Sequence, residues 1–96
     1  MDFFYTYVLR CSDGRLYVGS TESIGRRMEE HMAGKCRTTS GRRPVELVYF
    51  EACRSEVGAR EREKQLKTGF GRNYLKRRLQ ADSATRQQMN VLLMGG

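Results

Sequence analysis

No apolar run in this 96-residue chain approaches the roughly 18 residues that a membrane span requires. The opening residues, Met1-Asp2-Phe3-Phe4-Tyr5, lack a basic segment and a small-residue cleavage site, so no signal peptide is expected. Cysteine is scarce and badly spaced for chemistry. Cys11, Cys36 and Cys53 are odd in number and no two fall in a C-x-x-C pair, which argues against a disulfide framework and a zinc ribbon. Small buried or half-exposed thiols in a reducing cytoplasm are the simpler expectation. Histidine occurs once, at His31. There is no internal repeat and no low-complexity tract.

What is abundant is positive charge. Lys and Arg total 18 against 11 Asp and Glu, a formal net charge of +7. That excess on so small a chain favours a polyanionic partner, nucleic acid before an anionic membrane surface. Two groups stand out. One is Arg26, Arg27, Lys35, Arg37, Arg42 and Arg43; the other is Lys64, Lys67, Arg72, Lys76, Arg77 and Arg78. Glu29, Glu30 and Glu61 are interspersed, but the 35–43 loop and the last helix have almost no acidic neighbours, as phosphate contacts require.

The pattern of the chain predicts an α+β domain in the order β-β-α-β-α-α. Aromatic and β-branched residues over 3–10 and a short segment over 15–19, joined by Ser12-Asp13-Gly14, read as a hairpin. Ser20, Thr21 and Ser23 are N-cap candidates for a helix over 24–33, with Ile24, Met28 and Met32 as its apolar stripe and Gly34 as its C-terminal cap. Residues 35–43 read as a polar loop, and Pro44 opens a strand over 45–52 with Val45, Leu47 and Tyr49 on one face. Ser55 caps a second helix over 56–68, Gly69-Phe70-Gly71 breaks it, and a basic third helix follows over 73–80. These elements make a domain over 1–80 with a three-stranded, mostly antiparallel sheet flanked by helices. Residues 81–96 read as a tail, flexible or a short helix, whose apolar Met89–Met94 segment could serve self-association or a protein partner.

Some residues sit poorly with a purely structural account. Glu63 falls four after Ala59 and three before Leu66, on the apolar stripe that also includes Phe70. A carboxylate there is costly unless it pairs with Arg60 or Lys67 or holds a hard divalent cation. Arg27 and His31 are an i, i+4 pair and project from one patch of the first helix. If residue 10 pairs with residue 14, Tyr7 lies directly opposite Tyr17; a slip of one residue sends them to opposite faces.

Together these residues resemble the GIY-YIG nuclease superfamily. The first motif stands as Tyr5-Thr6-Tyr7, where only the tyrosine of Gly-Ile-Tyr is kept, and the second as Tyr17-Val18-Gly19. The helix motif is Arg26-Arg27-Met28-Glu29-Glu30-His31; Arg43-Pro44-Val45-Glu46-Leu47-Val48-Tyr49 and the segment from Arg62 to Arg72 follow in the same order. The resemblance spans about 3 to 80 and is closest to small stand-alone bacterial members, similar to the N-terminal domain of excinuclease C. It implies a metal-dependent endonuclease acting on nucleic acid, DNA before RNA, and leaving a 3′-hydroxyl and a 5′-phosphate. It implies that Glu63 holds Mg²⁺ or Mn²⁺, that one of Tyr7 and Tyr17 helps activate water, that Arg27 contacts the scissile phosphate and that His31 completes the site. Phosphate contacts are expected from Arg26, Lys35, Arg37, Arg42, Arg43, Lys67, Arg72, Lys76, Arg77 and Arg78. A basic nucleic-acid-binding module without catalysis is the alternative; it would need no metal and no Glu63.

Overall fold

The computed structural model describes residues 2–80. They fall into two compact units, one ending at Gln65 and the other beginning at Leu66. The tail over 81–96, with its apolar segment, lies outside the described residues.

The first unit is built on a three-stranded sheet in the order β2-β1-β3. Its strands are β1 (Phe4–Arg10), β2 (Leu16–Thr21) and β3 (Glu46–Cys53), and both pairings are antiparallel. Between the strands run α1 (Ile24–Met32), a one-turn α2 (Arg37–Ser40) and, after β3, α3 (Glu56–Leu66). The predicted three-stranded α+β fold is therefore present. β1 is the central strand, and Thr6, Tyr7, Val8 and Leu9 are all buried, so both of its faces are covered. Successive side chains alternate between faces. Tyr7, Leu9, Cys11 and Val45 form the core on one side, with Met28 of α1 packed against them. On the other side the Thr6 hydroxyl donates to the Ala59 carbonyl of α3 at 2.8 Å, and Arg62 pairs with Glu51 at 2.7 Å.

The hairpin register differs from the one expected. Tyr7 pairs with Gly19 and Leu9 with Tyr17, two residues away from a Tyr7–Tyr17 pairing. A two-residue slip keeps each side chain on its face, so the tyrosines remain neighbours, now on a diagonal. Sterics at Gly19 explain the choice. A Cβ at Gly19 would lie 2.6 Å from the Tyr7 hydroxyl, so the absent side chain is what lets the Tyr7 ring cross β2. The turn closes with Gly14 at φ +81, and the Cys11 amide donates to the Arg15 carbonyl.

Other expectations are corrected. β2 runs on through Ser20 and Thr21, so of the three N-cap candidates it is Ser23 whose hydroxyl accepts from the Arg26 amide. Met32 is 55% exposed, and His31 is the buried residue of α1. Simple alternation fails in β3, because a bulge opposite Val8 and Leu9 puts Leu47 opposite Leu9 and Phe50 opposite Tyr7. The 35–43 segment is not all loop: α2 forms inside it and buries Thr39. The helix break falls at Lys67-Thr68, since residues 69–80 are helical. There the Thr68 hydroxyl accepts from the Gly71 amide, and this cap outweighs the poor helix propensity of two glycines. We label this last helix α4; in this second unit Leu66 and Leu75 are buried, whereas Phe70 is 91% exposed.

Candidate active site

Tyr7 from β1, Tyr17 from β2, and Arg27 and His31 from α1 meet at one point. The Tyr7 hydroxyl lies 2.8 Å from His31 Nε2 and accepts from Arg27 Nε at 3.2 Å. Ring centroids are 6.2 Å apart for Tyr7–Tyr17, 5.7 Å for Tyr7–His31 and 5.2 Å for Tyr17–His31. One helical turn separates Arg27 from His31, so both side chains descend from α1 onto the same patch of sheet. The Schellman-type end of α1 fixes the exit of the chain: Gly34 adopts φ +77, and the Lys35 amide donates to the Glu30 carbonyl at 2.9 Å. The chain then turns back over His31 as α2.

The four residues differ in access. Tyr7 is 1% exposed and His31 is 0% exposed, whereas Tyr17 and Arg27 are half-buried. Arg27 also lines a cleft with Ser20 and Thr21 of β2 and with Glu56, Ala59 and Arg60 of α3. It lies 3.7 Å from Glu30.

Electrostatics separate the groups further. Burial raises the Tyr7 pKa, and the Arg27 hydrogen bond offsets only part of that rise. Burial, reinforced by Tyr7 and Cys36, pushes Tyr17 up to about 12. Burial and then Arg27 lower the His31 pKa, which keeps the imidazole neutral. Without a metal ion, desolvation outweighs the lowering effect of Arg27 on both tyrosines. The hydrogen bond to Tyr7 raises Arg27 further above its already high value.

Two residues that sequence reasoning passed over complete the cluster. Thr39 is 0% exposed, and its hydroxyl lies 2.8 Å from His31 Nδ1. Cys36 Sγ lies 3.9 Å from both Arg27 Nη2 and the Tyr17 hydroxyl. Burial pushes the Cys36 thiol up, but hydrogen bonds, led by that from the Thr39 hydroxyl, outweigh it and hold the thiol below its ordinary range. No pattern marked Thr39. It stands eight residues beyond His31, across the end of a helix, in a stretch whose polar composition reads as loop.

Glu63 is half-buried on α3, one turn beyond the cleft-lining Ala59. The ties of α3 to β1 and β3 lie on the Thr6 face of the sheet, opposite Tyr7. Among the described residues, no group of three or more His, Cys, Asp and Glu side chains is arranged to hold a metal ion. A hard cation held at Glu63 would take that one protein carboxylate and would have to complete its shell with water and phosphate oxygens. This donor set does not fit an ion enclosed by protein ligands, such as a structural zinc.

Several expected phosphate contacts have partners within the protein. Arg42 pairs with Asp13 at 3.0 Å, and Arg26 with Glu22 at 3.2 Å. Arg43 donates to the Ser40 and Met32 carbonyls, which caps α2 and α1. Lys35 and Arg37 are exposed beside the cluster, and Lys67, Arg72, Lys76, Arg77 and Arg78 are exposed in the second unit.

Comparison with known proteins places these observations. The family model for the GIY-YIG catalytic domain matches residues 3–79. A UPF0213 protein of Haloquadratum walsbyi is 43% identical over 68 residues, covering 70% of this chain and 76% of that protein. A UPF0213 protein of Syntrophus aciditrophicus is 46% identical over 65 residues, covering 66% and 75%. The solution NMR structure of the UPF0213 protein BH0048 from Bacillus halodurans covers 76% of this chain and 81% of its own, at 34% identity and a TM-score of 0.49.

Proposed function

The chain belongs to the GIY-YIG catalytic domain family of nucleases, in its UPF0213 branch, and on that premise we propose that it is a metal-dependent endonuclease hydrolysing phosphodiester bonds in DNA. One observation carries the reading. Tyr7, Tyr17, Arg27 and His31 come from three elements and meet in a single hydrogen-bonded cluster, which opens through Arg27 onto a cleft.

The roles follow from access. Arg27 and Tyr17 are the members that a phosphate can reach. The guanidinium offers paired N–H donors to the phosphoryl oxygens, which gain negative charge as water attacks phosphorus. The Tyr17 oxygen orients that water. With its pKa near 12 the hydroxyl stays protonated in the free protein, so it first gives its own proton to solvent in the loaded site, and the resulting phenolate then takes the proton of the attacking water. Tyr7 and His31 are sealed from solvent and hold Arg27 in place. Glu63 is the residue to hold the cation. Mg²⁺ or Mn²⁺, when bound, would stabilise the charge on the phosphate and favour ionised water. The O–P bond to water forms as the bond to the 3′-oxygen breaks, and that oxygen takes a proton from solvent, giving a 3′-hydroxyl and a 5′-phosphate.

A cleavage assay tests this reading. Duplex, single-stranded, branched and flapped DNA, and RNA, are incubated with and without Mg²⁺ or Mn²⁺. Metal-dependent cutting of at least one DNA form, leaving 5′-phosphate ends, is the expected result. Tight, salt-sensitive binding without cleavage of any form would favour the non-catalytic binding module instead.

A further inference from the structure

The buried hydrogen bonds around His31 have a direction. Arg27 Nε–H donates to the Tyr7 oxygen, and the Tyr7 hydroxyl hydrogen can then point to His31 Nε2, 2.8 Å away. A neutral imidazole that accepts at Nε2 carries its hydrogen on Nδ1. That nitrogen faces the Thr39 hydroxyl at 2.8 Å. Thr39 accepts there. With the hydrogen on Nε2 instead, the Tyr7 oxygen would face two N–H donors, and its own hydrogen would be turned out of the pair with His31.

We propose that Thr39, on the one-turn helix α2, is a positioning residue: its hydroxyl holds His31 in the Nδ1–H tautomer and so fixes the chain His31–Tyr7–Arg27 that aims the guanidinium at the cleft. The assignment rests on the nuclease reading of the site for its effect on rate, but not for its effect on His31. It gives α2 a purpose that its sequence does not show. Thr39 is fully buried although it is polar, and its backbone is pinned on both sides, by the Cys36 carbonyl at 3.1 Å and the Arg42 amide at 2.9 Å. The hydroxyl is therefore held at a fixed point rather than free to follow the ring.

The test is the protonation pattern of the one histidine, read from the ¹⁵N resonances of its imidazole, together with steady-state kinetics. Wild type and Thr39→Ser are expected to show Nδ1–H. Thr39→Val keeps the shape and removes the acceptor, and is expected to shift His31 toward Nε2–H. In Thr39→Val kcat falls at least about tenfold with KM little changed, and Thr39→Ser restores it. An Nε2–H wild type overturns the proposal. So does a Thr39→Val protein in which tautomer or rate changes without the other. The wild-type tautomer needs neither a folded variant nor turnover, so it decides the assignment even if Thr39→Val does not fold. A wild type that shows Nδ1–H but cuts nothing would sink the nuclease reading and leave the tautomer assignment standing.

Discussion

Tyr7 and Tyr17 bring the same hydroxyl to the same cluster, but their surroundings give them different work. Tyr7 is sealed and shared between Arg27 and His31, so Tyr7→Phe should act first on stability. Leaving the buried His31 and the half-buried Arg27 short of a partner costs about 1–3 kcal/mol, measurable by urea unfolding. Tyr17→Phe should leave the fold intact and lower cleavage by roughly 10²-fold or more, the usual range for losing a proton-transfer group. His31 adds a pH dependence whose sign is fixed. Its folded pKa is depressed below the ordinary 6.5, so the unfolded chain binds the extra proton first. Its contribution to stability is full above pH ~6.5 and is lost as pH falls from there toward the folded pKa. Thermal unfolding from pH 7 to 5 should show this decline, and His31→Gln should flatten it. That these four candidate residues would gather was legible because each stands in a motif with a polar or aromatic group to share. Their division into buried and accessible pairs was not, since exposure depends on α2 closing over His31.

At the level of elements, most strands and helices were legible from hydrophobic period and capping residues. The errors have physical causes. A hairpin pattern of period two reads the same after a two-residue slip, so only the steric demand of the Tyr7 ring on Gly19 picks the register. The β3 bulge inserts a residue that no alternation reveals. α2 is held by the Thr39–His31 contact, a tertiary effect absent from its local sequence. Gly19→Ala tests the register directly. The added methyl would sit 2.6 Å from the Tyr7 hydroxyl and must displace it from both His31 and Arg27. Overpacking of this kind costs about 1–3 kcal/mol, and the Tyr7 ring resonances should move with the loss of stability.

For the whole molecule, the net charge of +7 is the feature that drew attention to nucleic acid, but charge alone does not say which side chains are available. Arg42, Arg43 and Arg26 already serve the protein's own carboxylates and carbonyls. Lys35, Arg37 and the exposed cations of α4 are the better candidates for phosphate. Affinity for DNA should fall linearly on a log–log plot against salt, and the double variant Arg77→Ala, Arg78→Ala should reduce that slope by about 1–2. Affinity independent of salt would contradict a phosphate-based interface. Glu63, the proposed metal ligand, stands on α3, whose ties to the sheet lie on the face opposite Tyr7. Metal-dependent cleavage and DNA binding measured on the same Glu63→Ala protein therefore probe the proposed chemistry at its weakest point. Cleavage should be abolished while binding is kept or slightly tightened, since a negative charge near the phosphates is removed. A Glu63→Ala protein that still cuts at the wild-type rate would rule Glu63 out as the metal ligand and the one-carboxylate site with it.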